Sequence, residues 1–397
     1  MDCQVTARLC ARAYRSYRLD AIFAGHKWDP QIHDRSAIAD RALILSADDW
    51  NELSATTQAL YRETLDIETR LFRFAQDPAA KRFLPPGAWR RLRALPDLDS
   101  RDSVRLMRFD FHPTEKGWQL SEVNSDVPGG LNESSSFPEL WPTKSADWGV
   151  AGNPGQAYVE RVRERYELGA DSLVGLVHAT AYSDDWQHMA FLQVLFARAG
   201  IEAIGVAPTN VELQGGRMSV GGTALTVGLR FFPGDWLLFS RWGEPWFAEH
   251  PKNLSNPLSA LFSQNKFFPV ISAALGIPTP TWQRYLPPTA ELRLRDLLGS
   301  GGLIKPSFGR VGEDVERISN LSGGKKLTVA LDLVLGTGLW IRQEPFRSKN
   351  LGSDSDPIHA CVGVYCLDGR VVGGYGRITA EQFIGVSAAD SPVFIAH

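Results

Sequence analysis

The sequence predicts an α/β (α+β) protein in which mixed sheets are flanked by helices and a helical N-terminal region comes first. Three observations carry that expectation. Apolar residues recur at three- and four-residue spacing across 60–72, the period changes to alternation between 104 and 124, and a strand–helix–strand pattern occupies 172–207.

Residues 1–100 read as helical. Ser46-Ala47-Asp48-Asp49 ahead of Trp50 has the composition of a helix start, and Pro85-Pro86-Gly87 breaks the pattern. From 105 to 111 the chain alternates loosely. A turn at Pro113-Thr114-Glu115-Lys116-Gly117 follows, and alternation resumes from 118 to 123, so the stretch reads as a β-hairpin closed by Pro128-Gly129-Gly130. Leu173-Val174-Gly175-Leu176-Val177 reads as a buried strand, 185–199 as a helix ending at Gly200, and 201–206 as a second strand. The glycines there form no G-x-G-x-x-G, so dinucleotide binding is not supported. Residues 258–275 read as helix. Strands are expected at 303–305, 339–344, 359–366 and 370–374, and the polar stretch 348–357 is expected to be a mobile loop.

A chain of 397 residues exceeds one ordinary domain. Its expected divisions are a helical region at 1–100, a hairpin and β-α-β unit at 101–250, and a third region at 251–397. A net charge of −3 gives no footprint of a nucleic-acid binder. The cluster Trp89-Arg90-Arg91-Leu92-Arg93 is followed by Asp97, Asp99 and Asp102 and reads as a solvated helix end. Cys3, Cys10, Cys361 and Cys366 form no CxxC pair and no zinc-type spacing, as expected of reduced thiols in a cytoplasmic protein. The Arg-containing N-terminus is interrupted by Asp2 and Asp20, and no apolar run reaches membrane-spanning length, so no membrane partner is expected. Oligomeric state is not legible.

Five constellations have chemical potential. In the hairpin, Glu122 and Asn124 share a face, and Asp110 on the partner strand can face them. Two carboxylates and an amide oxygen form a hard-oxygen set suited to Mg²⁺, with Arg108 adding a cation on the same face. Lys305-Pro306 followed by the glycines Gly309 and Gly312 around Arg310 can lay N–H groups and an ammonium over phosphates, although no Walker loop is present. Lys266 stands between apolar stretches. Gln343-Glu344 ends an apolar strand, and Arg377 supplies a late cation. Taken singly, each is matched by a plain alternative: a solvated hairpin, an ordinary glycine turn, a snorkelling lysine, edge-strand polarity, surface charge.

In this order the residues resemble the glutathionylspermidine synthase type of ATP-grasp ligase. The likeness is strongest at Arg108-Phe109-Asp110, Glu122-Val123-Asn124-Ser125-Asp126, Asn265-Lys266, Lys305-Pro306 and Arg310-Val311-Gly312. Glu-x-Asn precedes the lysines here, as in the circularly permuted branch of those ligases. The resemblance implies an ATP-grasp-like fold in permuted order, with a metal-binding and substrate region at 101–250 and a nucleotide-binding domain with lid loops at 251–397. It further implies that Asp110, Glu122 and Asn124 hold two Mg²⁺ ions. Lys266 and Lys305 would bind ATP phosphates beneath the loop 309–312, and Gln343 and Glu344 would line the adenine pocket. Arg108 would contact the acid substrate, Arg377 would stabilise the transferring phosphoryl group, and 348–357 is a candidate lid. The implied activity is joining a small-molecule acid to an amine through an acyl phosphate. A nucleotide-binding relative without turnover and a phosphotransferase remain as alternatives. Val311 stands where the family commonly has Glu, and Ser125 and Val127 depart from the usual Ala-Asp-Thr-Pro. These departures bear on substrate more than on chemistry.

Overall fold

The change of period at 104 marks the strand about which the molecule is organised. The structure, a computed structural model, describes residues 2–32, 34–76, 88–95, 103–299, 301–309, 315–336 and 338–397. Pro85-Pro86-Gly87, the acidic residues 97, 99 and 102, and the loop residues Arg310 and Gly312 lie outside the described residues.

The hairpin strands Leu106–Thr114 and Gly117–Asn124 form one edge of a five-stranded antiparallel sheet. Its other strands are His359–Leu367, Arg370–Thr379 and Ala389–Ser391. This sheet therefore draws strands from both the expected 101–250 and 251–397 regions. Alternation along Leu106–Thr114 sorts its side chains: Met107, Phe109 and Phe111 enter the main apolar core, while Arg108, Asp110 and His112 face the other way into a cleft. Val362 and Val364 continue the core face on the neighbouring strand.

The helix Ala47–Ala75 covers the core face. Ser46 caps its N-terminus by accepting a hydrogen bond from the Asp49 N–H, as the sequence anticipates. Leu53, Leu60, Ile67 and Leu71 are buried at helical spacing, which buries one stripe against the sheet. The N-terminal region is not helical throughout: Cys3–Val5 and Leu43–Leu45 pair with each other, and Leu43–Leu45 also pairs with Val393–Ala396. Strands of two or three residues leave too few alternations for a period to be read, so pairing with the distant C-terminal strand is what makes them strands.

The β-α-β unit is present as Leu173–Val177, Ser183–Arg198 and Glu202–Val206, in a parallel sheet with Val227–Arg230 and Leu254–Ser255. A further antiparallel sheet runs Thr289–Glu291, Trp340–Gln343, Leu303–Pro306, Glu316–Arg317. The expected helix at 258–275 is broken. Asn265 leaves helical geometry with φ −65° and ψ 109°, and its side chain accepts from the Phe267 N–H at 2.9 Å. Short Asn side chains compete for backbone donors in this way, ending one helix and starting the next.

The arginine cluster at 89–93 sits on the helix Ala88–Ala94. Its Arg91 guanidinium donates to the carbonyls of Leu237, Leu238 and Ser240 at 2.6–2.9 Å, where the helix Gly234–Phe239 ends. Arg91 therefore stabilises unpaired C-terminal carbonyls instead of standing in solvent. All four cysteines are free, and three are buried. Among the described residues no helix is long and apolar enough to cross a membrane.

Candidate active site

The polar face of the five-stranded sheet floors a cleft of about 920 Å³. Registry fixes what lies side by side on that floor. Arg108 pairs with Asn124 and Asp110 with Glu122, while on the other flank Arg108 pairs with Tyr365 and Asp110 with Gly363. Cys361 then pairs with Arg377, and Arg377 with Asp390. Antiparallel partners share a face, so a hairpin and a strand nearly 240 residues downstream deliver one polar surface.

Arg108 and Asp110 form a bidentate ion pair, Nε to Oδ1 at 2.7 Å and Nη2 to Oδ2 at 2.8 Å. The Asn124 amide N–H₂ donates to Asp110 Oδ2 at 3.0 Å, which turns the Asn124 carbonyl oxygen away from Asp110. Gly363 makes room for the ion pair, because a Cβ there would stand 2.7 Å from Arg108 Cδ and 2.9 Å from Asp110 Oδ1.

Glu122 faces two lysines. Lys266 Nζ lies 3.6 Å from Glu122 Oε2, and Lys305 lines the cleft beside it with Nζ donating to the Ser121 carbonyl at 3.3 Å. The break at Asn265 aims Lys266: its own N–H donates to the Ser307 carbonyl at 2.7 Å and its Nζ to the Gly309 carbonyl at 2.5 Å. Burial pushes the Glu122 carboxyl up, but Lys266, Lys305 and Arg108 outweigh it and hold the group below the usual carboxylate range. Lys305 shifts down to about 8, because burial and the Lys266 charge outweigh the help of Glu122.

Arg377 completes the floor. One Nη donates to the Gly385 carbonyl at 2.8 Å, while its buried Nε–H has no hydrogen-bond partner among the described residues. His112 is held neutral: burial, aided by Lys305, lowers it to about 4.

Arg108, Asp110, Glu122, Asn124, Lys305, Gln343 and Arg377 thus meet in one cleft, with Lys266 and Gly309 adjoining it. Glu344 does not line the cleft. It is exposed at the strand's end, and its N–H donates to the Pro288 carbonyl at 3.0 Å. Gln343 lies on an inner strand between Thr289 and Leu303, with its Nε2 donating to Thr289 Oγ1 at 2.9 Å. The candidate lid at 348–357 is not in the cleft wall. The Lys349 N–H donates to the Pro113 carbonyl at 2.7 Å, and Asp356 pairs with Arg8 and Arg41, so polar composition there reflects internal pairing. The segment that does line the cleft includes Glu381, Gln382, Phe383 and Ile384.

Sequence reasoning missed a second part of the floor: Lys27, Glu133, His188, Tyr375 and Asp390. One signal was present. The helix Leu131–Leu140 buries Asn132, Glu133, Ser134 and Ser135 in succession, and a buried polar run on a helix marks a polar cavity or network.

Among the described residues no group of three or more His, Cys, Asp or Glu gathers as a metal cluster. The hairpin set is two carboxylates and an amide oxygen. These donor types suit a hard cation whose remaining shell comes from phosphate and water, but here the Asp110 oxygens are taken by Arg108 and Asn124 presents its N–H₂ to Asp110, so a cation would have to displace those contacts.

The fold is mixed α/β, of the kind found in glutathione synthetase-like proteins. A glutathione synthetase-like effector from Globodera pallida has the same fold, with TM-score 0.60 and 10% identity over 98% of each chain. The chain belongs to the glutathionylspermidine synthase preATP-grasp family, whose sequence profile matches residues 14–390. A structure described as a candidate gamma-glutamylcysteine synthetase from Methylobacillus flagellatus is similar at 15% identity, 86% of this chain and 88% of that chain, and TM-score 0.48. No curated protein matches the sequence. Family membership points to a ligase-type synthetase with ATP binding and small-molecule substrates.

Proposed function

We propose that the protein is an ATP- and Mg²⁺-dependent carboxylate–amine ligase, joining a small peptide or amino acid to an amine through an acyl phosphate. The observation that carries this reading is the meeting of Glu122, Lys266 and Lys305 beside the Arg108–Asp110–Asn124 group in one cleft. Cations and oxygen donors are needed together when a carboxylate attacks a triphosphate, since two anions must be brought into line.

Each residue has a distinct task on this reading. Lys266 and Lys305 hold the phosphate chain, and Gly309 anchors Lys266 from above. Leu303, Gln343 and Phe346 line the adjoining wall, where an adenine ring would rest. Asp110, Glu122 and Asn124 would hold Mg²⁺, which supplies charge neutralisation at the phosphates. Arg108 holds Asp110 in place and orients the acid's carboxylate. A carboxylate oxygen attacks the γ-phosphorus, the bond to the β-phosphate oxygen breaks, and ADP leaves. The amine nitrogen then attacks the acyl carbon, loses a proton, and phosphate departs. Arg377 offers its unpaired Nε–H to the negative charge that develops in both steps. Residues 101–250 and 251–397 on this reading supply the substrate and nucleotide regions, joined through the shared sheet.

Incubation of the full chain with Mg-ATP and a pool of amino acids, small peptides and polyamines tests the reading. ADP release accompanied by a new amide mass is expected. Nucleotide binding with no turnover on any pool would overturn it in favour of a binding protein. A stable phosphorylated product would do so in favour of a phosphotransferase.

A further inference from the structure

Beyond Arg108 the cleft wall carries a second group of buried charges that the proposed chemistry does not use. Lys27 Nζ lies between two buried carboxylates, 2.7 Å from Glu133 Oε1 and 2.9 Å from Asp390 Oδ2. Asp390 Oδ1 accepts from the Tyr375 hydroxyl at 2.5 Å, and the Tyr375 ring supports the Arg108 guanidinium at 4.8 Å. Three of the four carboxylate oxygens therefore have partners. The fourth, Glu133 Oε2, is buried and has none.

Neighbouring groups do not supply the missing donor. His188 Nε2 stands 3.8 Å from Glu133 Oε2, but it accepts the Gly130 N–H at 2.7 Å and so presents a lone pair there. Its proton is on Nδ1, which donates to the Asp184 carbonyl at 2.8 Å. Lys27 serves two carboxylates and Arg377 stands opposite Asp390, so the group without a donor is on the Glu133 side, where burying a carboxylate oxygen unpaired is costly. Burial pushes the Glu133 carboxyl up, but Lys27 outweighs it and holds the group below the usual carboxylate range, so it remains ionised and serves better as an anchor for a cation than as a base.

We propose that Glu133 Oε2 is the anchor for a protonated primary amine carried by a substrate, with the Lys27–Asp390–Tyr375 chain holding Glu133 in register with Arg108. A primary ammonium brings three donors on one atom, and Glu133 Oε2 offers it a buried anionic acceptor beside the floor of the acid site. The source is either the α-ammonium of a zwitterionic acid substrate or the distal ammonium of a diamine. This rests on the ligase reading for which substrate is held, but the site itself is measured by binding alone.

Calorimetric titration of the full chain in the presence of ADP and Mg²⁺ separates the sources. One arm compares glycylglycine with its N-acetyl derivative, the other butane-1,4-diamine with butan-1-amine. In the arm that matches, removal of the ammonium, and separately Glu133→Gln, is expected to weaken binding by about 10- to 100-fold. ADP affinity should be unchanged in Glu133→Gln, which shows that the fold and nucleotide site are intact. The proposal is overturned if neither arm distinguishes its two ligands, or if Glu133→Gln binds both as the wild type does. A Glu133→Gln change confined to the His188 titration, read by NMR, would also overturn it by making the carboxylate a histidine partner only. Ammonium recognition without turnover on any substrate pool would leave this site standing while sinking the ligase reading.

Discussion

Two buried arginines lie on the same hairpin, and the protein uses them in opposite ways. Arg105, at the strand's entrance, is sealed on the far side with Glu68, and donates to the Ser125 carbonyl while Ser263 donates to the same Glu68. Arg230 and Asp126 make a second sealed pair, and Asn256 ties the Leu106 backbone to the Asp126 carbonyl at 2.6–2.8 Å. Arg108 instead faces the cleft, together with Asp110, Glu122 and the two lysines. The sealed pairs fix where the strand and the Ser125-Asp126 turn lie. The cleft-facing group keeps an open side on which a ligand's charges can replace internal ones. A buried ion pair adds little net stability by itself, but losing one partner is expensive, so the sealed set should answer to stability and the open set to function.

The largest expected effect breaks the sealed set. Asp126→Ala leaves Arg230 buried beside the Asn256 carbonyl with no counter-ion and removes the acceptor of the Gly234 N–H at 2.8 Å. A loss of about 3–5 kcal/mol is expected, read as a lowered denaturant midpoint at unchanged slope. A variant of normal stability that fails to bind nucleotide would erase the distinction, by moving Asp126 into the functional group.

The open set is sharpened by pH. Burial and the Lys266 charge push Lys305 down to about 8, from an ordinary lysine value of 10.5. As its folded value lies below its unfolded one, its contribution to folding stability is fully present above pH 10.5 and is lost as pH falls through 8. Nucleotide affinity runs the other way, because phosphates favour the ammonium. Affinity for ADP should hold below pH 8 and fall about tenfold per unit above it, until the proton is lost from the complex too. Calorimetry in buffers of different ionisation enthalpy should show proton uptake on binding near pH 9. Lys305→Met should abolish both the slope and the uptake, and a slope that survives would assign the proton elsewhere.

The sealed and open sets differed in how far the sequence exposed them. Alternation separated Met107, Phe109 and Phe111 from Arg108 and Asp110, and i, i+2 spacing put Glu122 with Asn124, so the hairpin half of the site was legible from local periodicity. Arg377 and Asp390 reach the same floor only through strand pairing across hundreds of residues, and Lys27 only through its ion pairs with Glu133 and Asp390, none of which a local pattern encodes. Lys266 was legible as a charge between apolar runs, but its aim depends on Asn265 ending a helix that periodicity would have continued. Glu344 fails for a related reason. Strand alternation turns it to the side opposite Gln343, and its main chain is held by Pro288.

The smallest expected effect tests whether the open set acts as a unit. Gly363 has no left-handed backbone to relieve, so alanine there costs nothing in φ and acts only through its methyl group. That methyl would stand 2.7 Å from Arg108 Cδ and 2.9 Å from Asp110 Oδ1, distances that require the ion pair to shift. Overpacking of this kind costs about 1–3 kcal/mol at most, and the part spent on displacing Arg108 should appear as a loss of roughly three- to tenfold in turnover. Arg108→Ala alone should lose about 10²–10³-fold. If Gly363→Ala acts through Arg108, the double variant should be no slower than Arg108→Ala, a coupling that a cycle of kcat/KM values measures directly. Fully additive losses would mean that the methyl disturbs something other than the Arg108–Asp110 pair, and that the two buried arginines differ less than their surroundings imply.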